Sequence, residues 1–152
     1  MKYPKLSPSV LFLTTLIIGI LLSWVKPWHW SVYLDDDLSR LIGLILLLIS
    51  LILNSLAYRM FKKYMTPHAP FAVPHFLIDR GIFALSRNPV YLALVLSQCG
   101  LGFIFDTVWL LGTAFVLMIS LQYLVILFEE KMMESIFNER YQYYKRHTRR
   151  WF

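Results

Sequence analysis

Residues 108–128 read VWLLGTAFVLMISLQYLVILF and contain no charged side chain. A helix needs about 20 apolar residues to cross the hydrocarbon core of a bilayer, so this stretch predicts a membrane-spanning helix. Glu129 and Glu130 follow directly, which places two carboxylates where the predicted span ends. The stretch therefore predicts an all-α integral membrane protein.

Three other apolar stretches are long enough to span the bilayer beside it. They are residues 10–25, 41–58 and 89–105. The composition also indicates a membrane protein, because 58% of the residues are hydrophobic and only 16% are charged. An average soluble domain has about 25% charged residues. No linker or repeat divides the sequence, so we expect residues 1–152 to form a single domain with four transmembrane helices.

The basic residues predict how this domain is oriented, because Lys and Arg are concentrated in cytoplasmic loops. Of the 15 basic residues, only Lys26 and Arg40 lie between the first two spans. The others lie before residue 10, within residues 59–87, or after Phe128. We therefore expect both termini in the cytoplasm. The compact chain favours a bacterial inner membrane, although a protein of the endoplasmic reticulum would have the same cytoplasmic topology.

The net charge of +6 is spread between apolar runs and does not form one polar face. Membrane lipids, and not nucleic acid, are therefore the expected partner of the basic residues. The four histidines and the single Cys99 show no metal-ligand spacing, so no metal site is expected. The sequence leaves the oligomeric state open.

Only residues 105–107 connect the last two predicted spans, which forces an antiparallel helical hairpin. The sequence SRNPVY, residues 86–91, is then expected beside Glu129 and Glu130 at the cytoplasmic surface. Pro89 suits the first turn of a helix, and the free N–H groups of that turn, with Arg87, could bind an anion such as a carboxylate.

Each of these polar features also has a plainer explanation. Arg87 could extend to headgroup phosphates, and Pro89 could simply begin a helix. The two carboxylates could lie at a solvated helix end. Adjacent helical positions point about 100° apart, so Glu129 and Glu130 cannot serve one ligand equally, and which of them meets a ligand stays open.

After the carboxylates, the spacing predicts a cytoplasmic amphipathic helix with Met133, Phe137, Tyr141 and Tyr144 on one face. This helix could lie on anionic lipid through its basic residues, or its aromatic face could close over a cofactor. In the third span, Gly100 and Gly102 favour close helix contact over nucleotide binding.

Taken in order, these motifs resemble the isoprenylcysteine carboxyl methyltransferase and phospholipid methyltransferase family of membrane enzymes. The resemblance extends from Thr66 to Trp151. Its elements are Thr66-Pro67, Gly81-Ile82-Phe83, SRNPVY at 86–91, Glu129-Glu130, and the closing Phe137, Tyr141, Tyr144 and Arg150-Trp151. Asn88 stands where the prenylcysteine enzymes typically have His.

The resemblance implies S-adenosylmethionine bound at the cytoplasmic membrane face. It implies that the methionine moiety is held by Arg87, Asn88, Pro89 and Tyr91. It also implies that Glu129 or Glu130 meets the ammonium group of the cofactor, and that Arg87 and Glu130 have a positioning role. No residue is assigned to the chemical step itself. The implied cofactor-binding residues are Arg87, Asn88, Pro89, Tyr91, Gly100, Gly102, Glu129, Glu130, Tyr141, Tyr144, Arg149 and Arg150.

The resulting hypothesis is methyl transfer from S-adenosylmethionine to a lipid-like or membrane-embedded small substrate. The acceptor atom, oxygen, nitrogen or sulfur, stays open. One alternative is a non-catalytic membrane scaffold or lipid-binding subunit. Another is an NADPH-dependent membrane reductase, because membrane sterol reductases look similar in their C-terminal region.

Overall fold

The computed structural model of the protein describes residues 7–30, 34–67 and 72–151. The regular secondary structure in these ranges is helical, without a β-strand, so the all-α prediction is confirmed for this part of the chain. A short π-helical segment, Gln122–Ile126, joins the last two helices. The helices are α1 (Pro8–Val25), α2 (Asp36–Lys63), α3 (Ile82–Leu85), α4 (Pro89–Ile104), α5 (Val108–Leu121) and α6 (Leu127–His147).

Three of these helical runs are long and apolar enough to cross a membrane: α1, α2 and the continuous run Val108–His147. The prediction of an integral membrane protein is therefore supported. Helix α4 is apolar but has only 16 residues. At 1.5 Å per residue it is about 24 Å long, shorter than a hydrocarbon core of about 30 Å. The prediction of four complete crossings depends on α4 and stays a prediction.

Helix α2 is longer than its predicted span of residues 41–58 because polar residues stabilise both of its ends. The Asp35 side chain accepts hydrogen bonds from the backbone N–H groups of Asp37 and Leu38, which satisfies donors that the first turn leaves free. Lys62 and Lys63 lie in the last turn, where positive charge is favoured by the helix dipole.

Helix α2 packs along α4, α1 packs along α5, and α4 contacts α5. Glycines make the first two contacts close: a Cβ atom on Gly100 would lie 2.8 Å from the carbonyl oxygen of Gly43, and one on Gly19 would lie 2.6 Å from Thr113 Oγ1. A methyl group on Gly100 would meet the backbone of α2 and push these helices apart, whereas one on Gly19 would displace the side chains of Leu110 and Thr113 in α5. In contrast, α1 and α2 make no extensive contact with each other.

A hydrogen-bonded cluster, the Gln98 triad, joins α1, α4 and α5 inside the helix bundle. Gln98 is completely buried. Its oxygen accepts a hydrogen bond from Thr15 at 3.0 Å, and its nitrogen donates to Thr113 at 2.9 Å. Both polar atoms of the buried amide are therefore hydrogen-bonded to neighbouring helices, which offsets the cost of burying them. The same bonds fix the register of the three helices.

At the opposite end from the predicted site, the loop after α1 is bound to the connection between α4 and α5. The backbone N–H of Trp30 donates to Asp106 Oδ1 at 2.6 Å, and the backbone N–H of Val108 donates to the backbone carbonyl of Trp28 at 3.0 Å. The Trp109 indole N–H donates to the Lys26 carbonyl at 2.7 Å. These bonds close this end of the bundle around a group of tryptophans.

Candidate functional site

A cavity of about 610 Å³ lies where the start of α1, the end of α2, the start of α4 and α6 meet. This volume is in the range that holds small-molecule ligands. Most of the residues proposed from the sequence line it. They are Arg87, Asn88, Pro89, Tyr91, Glu129, Glu130, Tyr141 and Tyr144.

Four other residues proposed for the cofactor are not in the cavity lining. Gly100 and Gly102 lie in helix contacts: Gly100 packs against Gly43 and Leu47 of α2, and Gly102 packs against α5. Arg149 is exposed. Arg150 lies outside the lining but contacts a carboxylate that belongs to it.

That carboxylate is Glu130, which is bound by two arginines from distant parts of the sequence. Arg150 makes a two-pronged contact, with Nε 2.8 Å from Oε1 and Nη2 2.7 Å from Oε2. Arg87 Nη2 lies 3.2 Å from Oε1. The side chains of Arg87 and Glu130 are each only 8% exposed, and that of Arg150 is 31% exposed. We call these three residues the Glu130 cluster.

The environment of Glu130 favours its charged form. Burial alone raises the pKa of this carboxyl group, but the hydrogen bond from Arg150 and the positive charges of Arg87, Arg150 and Lys145 outweigh burial and lower the pKa below its usual value. The same hydrogen bond raises the pKa of Arg150. Glu130 lies beyond the apolar run that ends at Phe128, so a charged group here does not face the centre of a bilayer.

Arg87 keeps unused hydrogen-bonding capacity. Its Nε and Nη1 atoms are buried, and neither has a hydrogen-bond partner among the described residues. A buried donor without a partner costs about 1–3 kcal/mol, so such groups are rare unless a ligand satisfies them. Because Arg87 lines the cavity, an anionic group bound there could accept both hydrogen bonds.

Glu129 has different surroundings from Glu130. Its Oε1 accepts a hydrogen bond from the Tyr91 hydroxyl at 2.8 Å. Tyr91 belongs to α4, so this bond joins the first turn of α4 to the start of α6 on the cavity wall. The two adjacent carboxylates therefore contact different groups: Glu129 accepts a hydrogen bond from the Tyr91 hydroxyl, and Glu130 contacts the guanidinium groups of Arg87 and Arg150.

The segment before α4 is bound to the segment after α6 through backbone carbonyls. The Arg87 N–H donates to the Arg149 carbonyl at 3.0 Å. Ser86 Oγ and Asn88 Nδ2 both donate to the Arg150 carbonyl, at 3.2 and 3.1 Å. Asn88 therefore holds the C-terminal segment in place as well as lining the cavity.

The aromatic face of α6 packs against protein. Tyr141 and Tyr144 are 4% and 6% exposed and form a core cluster with Leu77, with Met133 and Phe137 packed around it. The Tyr144 hydroxyl donates to the Phe83 carbonyl at 2.5 Å. Asn138 has a φ of 46°, so α6 bends there. Tyr141 and Tyr144 also line the cavity, so this face lies between the core cluster and the cavity.

Sequence reasoning missed the parts of the lining that come from other regions. Pro8 and Ser9 contribute from α1, Asn54 and Phe61 from α2, and residues 72–78 from the loop before α3. The prolines of that loop could have indicated an extended segment in the sequence, because proline favours extended backbone. They do not indicate where such a segment packs. Asn54 makes no hydrogen bond among the described residues.

A model of the family described as phospholipid methyltransferase matches residues 38–140. The match covers more than half of the chain, including most of α2 and all of α4 and α5. The chain belongs to the phospholipid methyltransferase family. Family membership implies a membrane methyltransferase. No curated protein and no solved structure gave a significant match.

The part matched to the phospholipid methyltransferase family holds Arg87, Tyr91 and both carboxylates but ends at Arg140. The two buried tyrosines and Arg150 follow after it, and the start of α1 lies before it. The cavity of this phospholipid methyltransferase family member is therefore completed by segments on both sides of the matched range.

Proposed function

We propose that this protein binds S-adenosylmethionine in the cavity and transfers its methyl group to a phospholipid or a similar lipid. The observation that carries the proposal is Arg87, a residue of the cavity lining whose Nε and Nη1 atoms are buried and have no hydrogen-bond partner among the described residues. Membership in the phospholipid methyltransferase family supports the reaction type.

The residues present fit the charged groups of this cofactor. Arg87 offers two donors to a carboxylate, and the adjacent first turn of α4 adds its free N–H groups. We assign the ammonium group to one of the two carboxylates of the cavity lining, Glu129 or Glu130. The buried tyrosines provide aromatic surface near which a sulfonium is stabilised. When bound, S-adenosylmethionine supplies an electrophilic methyl group.

The protein's contribution to this reaction is positioning and exclusion of water. Glu130 is a positioning residue that fixes Arg87 and Arg150. The bonds from Ser86 and Asn88 to the Arg150 carbonyl hold the C-terminal segment over the site. A fixed and water-poor site favours a displacement that neutralises charge, and alignment of the reacting groups can provide much of the rate increase.

We further propose four crossings with both termini in the cytoplasm of a bacterial inner membrane. Helix α4 would be the shortest crossing, and local thinning of the bilayer can accommodate a short apolar helix at modest cost. The site would then lie at the cytoplasmic surface, where soluble S-adenosylmethionine is available and a membrane lipid can reach the same cavity.

Isothermal titration of the purified protein in detergent with S-adenosylmethionine tests the proposal. We expect saturable binding, weakened about 10- to 100-fold by Arg87→Ala through loss of charge-assisted hydrogen bonds. Arg146→Ala is the matched control, because Arg146 is an exposed arginine that does not line the cavity. Absence of binding by folded wild-type protein, or preferential binding of NADPH, would contradict the proposal.

Mass spectrometry of lipids then tests the reaction. Cells that express the protein should contain a lipid species heavier by one methyl group than in cells without the gene, and the species should disappear with Arg87→Ala. An unchanged lipid profile, together with intact cofactor binding, would contradict a lipid acceptor while leaving the cofactor assignment in place.

A further inference from the structure

Trp151 attaches the C-terminal segment to the helix bundle. Its indole is partly buried and packs against a core cluster built from α1, α5 and the π-helical segment. The members of that cluster are Leu11, Leu117, Leu121, Val125 and Ile126. The indole N–H also donates to Gln122 Oε1 at 3.2 Å. An apolar contact and a hydrogen bond therefore fix the same side chain.

Gln122 is the first residue of the π-helical segment that joins α5 to α6. It lies before the end of the apolar run at Phe128, about 9 Å deeper along the helix. An amide at this depth needs a partner, and Trp151 provides one. The Gln122 carbonyl accepts the N–H of Leu127, which is the spacing of a π-helical turn. Such turns occur frequently at functional sites, and this one leads directly into the helix that carries the Glu130 cluster.

Trp151 directly follows Arg150, which belongs to the Glu130 cluster. The Arg150 carbonyl accepts two hydrogen bonds from the segment before α4, and its guanidinium group binds Glu130 through two atoms. The Arg150 side chain is nevertheless 31% exposed. A partly exposed ion pair contributes little unless both side chains are held in one geometry. The contact of Trp151 with Gln122 fixes the chain immediately beside Arg150 and thus supplies this constraint.

We infer that Trp151 and Gln122 are positioning residues that hold Arg150 on Glu130 and so keep Arg87 available to the ligand. Arg87 touches Glu130 through Nη2, at 3.2 Å, while its Nε and Nη1 atoms have no partner among the described residues. If Arg150 moved away, Glu130 would keep only Arg87 of its two arginines. A two-pronged contact between them would then use donors that a bound carboxylate needs. This inference rests on the proposed function and adds a positioning element to the same site.

Hydrogen exchange at Arg150 tests this anchor without any ligand. NMR of the full chain in detergent measures how fast the Arg150 Nε–H exchanges with water, and the signal is assigned by its absence from Arg150→Lys. Gln122→Leu removes the acceptor and should accelerate this exchange about three- to tenfold. Gln142→Leu is the matched control, because Gln142 is an exposed glutamine of α6 outside the cavity lining. Unchanged exchange in Gln122→Leu, or equal acceleration in both variants, would overturn the inference.

Isothermal titration with S-adenosylmethionine then measures whether the anchor acts through Arg150. Trp151→Phe keeps an aromatic ring on the core cluster but removes the indole N–H, and it should raise the Kd about three- to tenfold. In Arg150→Ala protein the same substitution should have little further effect, because the residue that Trp151 positions is then absent. Trp24→Phe, at a tryptophan that is 79% exposed, should leave the Kd unchanged. Equal effects of Trp151→Phe in both backgrounds would show a purely structural role and overturn the inference.

The two experiments separate this inference from the proposed function. Faster Arg150 exchange in Gln122→Leu, with no binding of S-adenosylmethionine by folded wild-type protein, would support the anchor but contradict the proposed function. Unchanged Arg150 exchange, with intact cofactor binding by the wild type, would contradict the anchor and leave the proposed function in place.

Discussion

Two buried polar clusters connect the helices of this protein, and they differ in charge and in completeness. The Gln98 triad is neutral, and both polar atoms of its central amide are paired with threonines. The Glu130 cluster is charged, and two of its members, Arg87 and Glu130, line a cavity. Two nitrogens of Arg87 lack hydrogen-bond partners among the described residues. A satisfied neutral cluster specifies helix packing, whereas an incomplete charged cluster at a cavity indicates a place for a ligand.

The difference extends to how each cluster is assembled. The Gln98 triad joins three long helices that also pack through apolar residues and glycines. The Glu130 cluster instead joins the start of α4, the start of α6 and the segment after α6. We therefore expect substitutions in the Gln98 triad to affect stability alone. Substitutions in the Glu130 cluster should affect both stability and ligand binding.

The largest effect is expected from Glu130→Ala. Removing this carboxylate leaves two guanidinium groups together, one of them buried, without the negative charge between them. Breaking a buried ion pair typically costs about 3–5 kcal/mol, so the unfolding temperature in detergent should fall markedly and S-adenosylmethionine binding should be lost.

Glu134→Ala is the control for this change, because Glu134 forms an ion pair with Lys145 in which both side chains are about one-third exposed. Exposed pairs contribute about 0–1 kcal/mol, so this variant should unfold and bind cofactor nearly like wild type. Equal effects of the two substitutions would mean that the Glu130 cluster is no more important than a surface pair.

A smaller effect is expected from Gln98→Leu. The two threonines can still bond the backbone of their own helices, since Thr15 Oγ1 lies 3.0 Å from the Leu11 carbonyl and Thr113 Oγ1 lies 3.0 Å from the Trp109 carbonyl. We expect a loss of about 1 kcal/mol in unfolding free energy and an unchanged Kd for S-adenosylmethionine. A large decrease in cofactor affinity would remove the proposed contrast between the clusters.

The mildest perturbation is a change of pH. The pKa of Glu130 is lower in the folded protein than the ordinary carboxyl value of 4.5. Its charged form therefore stabilises the fold above pH 4.5, and this contribution is lost as the pH falls through the folded pKa. The difference in unfolding temperature between wild type and Glu130→Gln should shrink below pH 4.5. The difference between wild type and Gln98→Leu should stay constant, because the triad has no titratable group.

The sequence predicted much of the helical architecture because apolar runs and their charged ends are local properties. The contact between Arg87 and Glu130 also follows from local features, namely a connection of only residues 105–107 and an apolar run that ends at Phe128. The binding roles of these residues remain predictions. Glu129 contacts Tyr91, and Glu130 contacts the two arginines. Which carboxylate takes which position depends on the rotation of α6 about its own axis, and no sequence motif specifies that rotation.

Other features depend on packing between distant segments and could not be predicted. Asn54 and Gln98 look alike in sequence, since each is an amide within an apolar run. Only the positions of the neighbouring helices give one of them partners and leave the other open to the cavity. The packing of Tyr141 and Tyr144 against Leu77 likewise joins segments that are far apart along the chain.

The bonds from Ser86 and Asn88 to the Arg150 carbonyl have a consequence for biosynthesis. The bonded residues are 64 and 62 positions apart, so both side chains leave the ribosome long before the carbonyl that they hold has been made. The helices can insert one after another during translation, but the cavity can close only after synthesis has passed Arg150. A ribosome stalled before that codon would hold an inserted helix bundle whose polar end is still open.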